Sequence, residues 1–144
     1  VLGPGGASGV GSAAIQIARH FGAHVIATGS TTEKRDLALR LGADHAVDPA
    51  QAAWPAQVRQ LTGKRGVDLV VEHVGGRVFE QVFNCLARGG TIVTCGATAG
   101  RDPIVRRGKL GTGPGAASRS RSPRSRGATC REFAARRARG QRCR

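Results

Sequence analysis

Apolar and polar positions along residues 9–96 alternate between helix-period stripes and short, nearly continuous apolar runs. Val10, Ala13, Ala14, Ile17, Ala18 and Phe21 fall at i, i+3, i+4, i+7, i+8 and i+11, one stripe of a helix that Gly22 stops. His24-Val25-Ile26-Ala27-Thr28 is short, apolar and partly β-branched, as in a buried parallel strand. Ser30-Thr31-Thr32-Glu33 has the form of a capping box with Ser30 at the N-cap, and the helix it opens runs to Leu41 and ends at Gly42. Ala46-Val47-Asp48 reads as a brief strand and Pro49 to Pro55 as a loop. Pro55 then starts a helix with Val58 and Leu61 on one face and a stop at Gly63. Val67 to Glu72 is the clearest strand. Phe79, Val82, Phe83 and Leu86 make a further helical stripe closed by Gly89-Gly90, and Thr91 to Cys95 is a last strand ending at Gly96.

Apolar strands interleaved with amphipathic helices predict an α/β fold, a doubly wound parallel sheet covered on both faces. Val1-Leu2 would be the remnant of the strand before the first helix. Pro4 follows it, and a proline cannot donate to a central ladder.

Composition changes the picture at one place. The 144 residues carry twenty-three Lys+Arg against nine Asp+Glu, a net of +14, which at first points to a nucleic-acid protein. Residues 1–100, however, hold nine basic and seven acidic residues, a net of only +2. The other fourteen basic residues lie beyond, against Asp102 and Glu132. The chain therefore reads as two unlike pieces: a globular part, 1–103, and an Arg-rich low-complexity tail, 104–144. The chain has no Met and opens on Val1-Leu2, and it reads as a fragment or a processed chain. No apolar run approaches the roughly 20 residues of a membrane span. No signal-peptide pattern is present.

Candidate chemistry concentrates in Gly5-Gly6-Ala7-Ser8-Gly9-Val10-Gly11, between the strand remnant and the first helix. Such a turn lets backbone N–H groups approach a pyrophosphate at a helix N-terminus. Against G-x-G-x-x-G, Gly6 and Gly11 match and Ser8 replaces the middle glycine. The strand–loop–helix context is what gives a dinucleotide-binding reading its force over a plain tight turn. At the end of the second strand an acid would hold the ribose 2′-hydroxyl of NAD. Gly29 and Ser30 stand there, Glu33 is taken up by the cap, and Lys34 and Arg35 follow. These favour NADP(H) over NAD, with two solvated lysine and arginine side chains as the bland alternative. Gly5-x-x-x-Gly9-x-Gly11 also fits the short-chain dehydrogenase pattern, but those enzymes act through a tyrosine and this chain has none.

The sequence resembles the cofactor domain of the medium-chain dehydrogenase/reductase superfamily, the zinc-type alcohol dehydrogenases and quinone oxidoreductases. The likeness rests on Ala7-Ser8-Gly9-Val10-Gly11-Ser12-Ala13-Ala14-Ile15-Gln16-Ile17-Ala18, Val25-Ile26-Ala27-Thr28 with Glu33-Lys34, and Leu41-Gly42-Ala43-Asp44-His45. Leu61-Thr62-Gly63, Arg65-Gly66-Val67-Asp68, Glu72-His73-Val74-Gly75, Gly89-Gly90 and Cys95-Gly96-Ala97-Thr98 extend it to about residue 103. The resemblance implies a Rossmann-like fold, here truncated at both ends, and hydride transfer to or from a nicotinamide cofactor. It places Ser8, Gly9, Val10 and Gly11 on the pyrophosphate, and Ser30 and Lys34 on the adenosine ribose or its phosphate. Val74, Gly96 and Ala97 would lie along the cofactor towards the nicotinamide. It also implies a cytoplasmic enzyme acting on a small molecule, homo-oligomeric at full length. The catalytic domain with the zinc ligands would be absent, leaving this fragment inactive alone.

The remaining polar residues add little. Cys85, Cys95, Cys130 and Cys143 form no C-x-x-C pair, and His20 and His24 lack a third ligand, so no zinc site is expected in this chain. His73 ends a strand on the cofactor side, where a cofactor contact and a hydrogen-bonded structural role are both open. Glu72, at the same strand end, is open to a cofactor contact but is not expected to be a catalytic acid.

From Gly111 to Arg144, Arg, Ala, Gly, Ser and Pro make twenty-seven of thirty-four residues, a composition that predicts disorder. Two readings compete. Ser118 to Arg126 resembles an arginine–serine segment, which would make this a Rossmann-like binding protein whose basic tail holds nucleic acid. Alternatively the reading frame is lost near residue 104, since Arg, Ala, Gly and Pro all have G+C-rich codons. The abruptness of the switch favours the second reading. The nucleotide sequence checks it: another frame is expected to encode apolar, family-like sequence past residue 104, and its absence would defeat the frame-loss reading.

Overall fold

A computed structural model describes residues 1–100. The expected disordered tail, with Cys130 and Cys143, lies outside the described residues. Five strands alternate with four helices: β1 Leu2–Gly3, α1 Gly9–His20, β2 Ile26–Thr28, α2 Thr32–Arg40, β3 His45–Val47, α3 Trp54–Leu61, β4 Val67–Glu72, α4 Gly76–Val82 with a 3-10 turn Phe83–Cys85, and β5 Leu86–Thr94. All strand pairs are parallel, in the order β3-β2-β1-β4-β5. The fold is α/β, a Rossmann-like doubly wound sheet.

The sheet separates two apolar layers. Leu2, Ile26, Val47 and Val70 pack with Trp54 and Val58 of α3, Val82 of α4 and Cys85 of the 3-10 turn. On the other face Val25, Ala27 and Ala43 meet Ile15 of α1 and Ala38 of α2. Alternate residues of the β2 segment thus serve opposite layers, as the period of two requires. Pro4 does no damage to the ladder, because β1 pairs only through Leu2 and Gly3 and the buried Pro4 lies just past them.

Four local expectations need correction. The core face of α1 is Gly11 and Ile15 with Ala18 packed beside them, whereas Val10, Ile17 and Phe21 of the expected stripe are 42%, 58% and 38% exposed. A helix that must approach the sheet closely turns its small residues inward. The N-cap of α2 is Thr31, not Ser30: the Thr31 hydroxyl accepts from the Lys34 N–H at 3.3 Å. Glu33 still sits in the first turn, where a hydrogen bond with Thr31 holds its carboxyl below the ordinary value. Leu86 is strand rather than helix. Gly89-Gly90 is no terminator but lies inside β5, within an irregularity that separates the pairs Val67↔Leu86 and Leu69↔Thr91. Finally, the expected loop 49–55 ends in Trp54, the first residue of α3 and fully buried, with its indole N–H donating to Gln81 Oε1 at 2.8 Å.

Asp44 is a structural staple. Its carboxylate accepts from the Val25 N–H at 2.7 Å and from Arg19 Nη1 at 3.1 Å, tying the α2–β3 turn to the start of β2. The backbone hydrogen bond from Val25 is the main reason that its carboxyl lies below its ordinary value of 3.8. A depressed folded-state pKa gives stability that is complete above the unfolded value, about 3.9, and is lost as pH falls through the folded one. Asp44→Asn is therefore expected to lower the thermal midpoint at pH 7, with the gap to the parent closing as unfolding is followed down to pH 3. Trp54→Ala is expected to cost about 3–5 kcal/mol in urea unfolding, because it empties the largest buried side chain of its layer and unpairs Gln81.

Candidate cofactor site

The glycine loop joins β1 to α1 at the C-terminal edge of the sheet, between β2 and β4, where the strand order reverses direction. Open α/β sheets bind ligands at this position. Two bonds hold the loop against the end of β2: the Gly5 N–H donates to Thr28 Oγ1 at 3.0 Å and the Gly6 N–H to the Thr28 carbonyl at 2.9 Å.

Ser8 caps α1. Its Oγ accepts from the Gly11 N–H at 3.0 Å, donates to the Gly5 carbonyl at 2.8 Å and lies 2.7 Å from His73 Nε2. Its own N–H donates to the Gly5 carbonyl at 2.9 Å. Gly11 is forced to be glycine, since a Cβ there would sit 2.2 Å from the Gly5 oxygen. Of the first four helical N–H groups, Gly11 is met by Ser8 Oγ and Ser12 by the Ser8 carbonyl. Gly9 and Val10 are exposed, and among the described residues no acceptor meets their N–H groups. Two outward donors at the positive end of a twelve-residue helix could receive an anion.

The other expected residues lie along the same edge. Ser30 and Lys34 are exposed beyond β2, at the start of α2. Arg35 is committed to the scaffold: it donates to the Gly29 carbonyl at 2.9 Å and to Thr32 Oγ1 at 3.1 Å, and pairs with Asp48 at 3.5 Å. Val74 follows β4 and Gly96-Ala97 follow β5, and these two ends are bonded together. The Ala99 N–H donates to the Val74 carbonyl at 2.6 Å, and the Thr98 N–H to the His73 carbonyl at 3.2 Å. All nine expected residues therefore share one crest, in the spatial order β2, β1, β4, β5.

Glu72 is fully buried, and its Oε1 accepts from the Val74 and Gly75 N–H groups at 2.8 Å each. It caps its own turn. Burial pushes the Cys85 thiol up to about 12, leaving it protonated and inert at neutral pH. Among the described residues no three His, Cys, Asp or Glu side chains gather as metal ligands, and no helix is long and apolar enough to cross a membrane. The Ser8–His73 bond was hidden from the sequence by its separation of 65 residues.

A family model described as "Zinc-binding dehydrogenase" matches residues 9–114. The chain belongs to this family. The match begins at the first residue of α1 and runs past residue 103, where the charge distribution changes. The chain is 36% identical over 99 residues to a 2-haloacrylate reductase of Burkholderia sp., covering 68% of the chain and 30% of the reductase. It superposes on an NAD-dependent alcohol dehydrogenase with a TM-score of 0.72 at 43% identity, covering 76% of the chain and 32% of that enzyme. A mycobacterial protein complexed with NADPH gives a TM-score of 0.70 at 40% identity, over 76% of the chain and 34% of that protein. The chain thus spans about a third of the length of each of these three relatives.

Gly11→Ala is expected to destabilise the chain by about 1–3 kcal/mol, as the clash displaces either the Gly5 carbonyl or the start of α1. Thermal unfolding checks this, and an unchanged midpoint would contradict the close approach.

Proposed function

We propose that the described domain binds the nicotinamide cofactor of an oxidoreductase, with NADP(H) preferred over NAD(H). The observation that carries the reading is the pair of unmet N–H groups of Gly9 and Val10 at the sheet's switch point. Labour divides among the loop residues. Ser8 and Gly11 spend their polar groups on each other and on Gly5, and so shape the cradle. Gly9 and Val10 donate to the pyrophosphate.

The preference for a 2′-phosphate rests on the end of β2. The end of β2 itself carries no carboxylate, since Gly29 and Ser30 follow Thr28, and the nearby Asp48 is paired with Arg35. Lys34 and Ser30, both exposed there, supply a cation and a hydroxyl of the kind a phosphate requires. The cap residue being Thr31 leaves the Ser30 hydroxyl out of the helix start. Val74, Gly96 and Ala97 would flank the cofactor further along the crest. When bound, the cofactor carries the hydride, and this chain's residues bind and orient it. The NADPH complex of the mycobacterial relative supports the NADP reading; the NAD-dependent relative is the contrary case that the test addresses. The substrate would be a small molecule held by parts of the protein outside this domain.

Isothermal titration of the full chain is expected to give tighter binding of NADPH than of NADH. Lys34→Ala is expected to weaken NADPH by about tenfold while leaving NADH nearly unchanged. Equal affinities for the two dinucleotides in the parent chain would overturn the NADP preference, and no binding of either would overturn the cofactor reading.

A further inference from the structure

His73 stands immediately after β4, is 5% exposed, and belongs to no part of the site assigned above. Its ring lies under the glycine loop: Nε2 is 2.7 Å from Ser8 Oγ, and a Cβ on Gly5 would come within 3.2 Å of the same nitrogen. Its carbonyl accepts from the Thr98 N–H at 3.2 Å and from Thr98 Oγ1 at 3.3 Å. One residue thus touches the loop after β1 through its side chain and the loop after β5 through its main chain.

Proton accounting fixes what the imidazole does. A serine hydroxyl has one proton and two lone pairs. At Ser8 the Gly11 N–H fills one lone pair, and the carbonyl of Gly5 stands 2.8 Å away to accept the proton. The remaining lone pair takes a proton from His73 Nε2. In this arrangement the buried Nδ1, which meets no partner among the described residues, is a bare acceptor. The opposite tautomer would bury an unmet N–H at that position, which is the rarer and costlier state.

We propose that His73 is the positioning residue of the glycine loop: its Nε2-protonated imidazole locks the Ser8 hydroxyl, and through it the Gly9 and Val10 N–H groups stay aimed together. His73 itself does not touch the ligand. A glycine-rich loop has much backbone freedom to lose on binding, and a bond made before the ligand arrives removes part of that cost. The effect on affinity rests on the cofactor reading above, whereas the effect on the loop does not.

The full chain with His73→Ala, His73→Gln, His73→Asn, Ser8→Ala and the double change Ser8→Ala/His73→Ala separates the two. Gln can place its amide N–H where Nε2 stood, and Asn cannot reach it. His73→Ala and His73→Asn are expected to speed exchange of the Gly11 amide proton and to weaken NADPH by about threefold to tenfold. His73→Gln is expected to restore most of both, and His73→Ala to add little once Ser8 is Ala. Long-range proton–nitrogen correlation spectra should find Nε2 protonated and Nδ1 bare. If His73→Ala does not fold, the contrast between Gln and Asn carries the test. Unchanged Gly11 exchange in the Asn variant, additive effects of the two Ala changes, or a proton on Nδ1 alone would each overturn the proposal. A parent chain that binds no dinucleotide, yet whose Gly11 exchange responds as expected, overturns the cofactor reading and upholds the positioning of the loop.

Discussion

The close approach of α1 to the turn before it sets the terms for the rest of the domain. With a Cβ of Gly11 only 2.2 Å from the Gly5 oxygen, the helix can start where it does only if that position carries no side chain. The orientation of α1 about its own axis then follows. Gly11 faces inward, so Ile15 and Ala18 follow it into the core, and Val10 and Ile17, one residue earlier on each turn, are turned outward. The same rotation brings the Gly9 and Val10 N–H groups to the crest of the sheet. A helix packed by its largest apolar residues would have buried Val10 and Ile17 and aimed its first amides elsewhere.

This is also where sequence reading succeeded and where it stopped. Elements whose cause is local were legible. Val67–Glu72 is an uninterrupted strand because both of its faces are covered, and the stops at Gly22 and Gly42 stand next to the observed helix ends. Glycine spacing marked the Gly5–Gly11 loop, and the nine residues that the resemblance placed on a cofactor lie along one edge of the sheet. What failed was decided by tertiary contact. A stripe of Val10, Ile17 and Phe21 looks like a core face until the Gly5 carbonyl forbids it. Gly89-Gly90 looks like a terminator until its pairing against β4 makes it an irregularity within a strand. Trp54 lies between Pro49 and Pro55, a loop signal, and its burial comes from Gln81 and the sheet rather than from its neighbours. The same limit separates Lys34 from Arg35: adjacent cations in the sequence, but only the second finds Gly29 and Asp48 within reach.

The net charge of the described residues is small, so the site cannot depend on a broad positive field. It depends on which charges are already spent. At the C-terminal strand ends, Glu72 Oε1 accepts from the Val74 and Gly75 amides and Asp48 pairs with Arg35. Each of these two carboxylates meets a donor of the scaffold, and Glu72 Oε2 is buried with no hydrogen-bond partner among the described residues. A carboxylate free on this crest would repel a dinucleotide at short range, and pairing Asp48 with Arg35 and turning Glu72 inward lessens that cost before a ligand arrives. The donors left facing outward include the Gly9 and Val10 N–H groups, the Ser30 hydroxyl and Lys34. Main-chain donors cannot rotate away, which makes the hydroxyl and imidazole beneath them matter more than any charge above. A cradle built from fixed amides is only as well aimed as the loop that carries them, and that loop is held by Thr28 on one side and by Ser8 with His73 on the other.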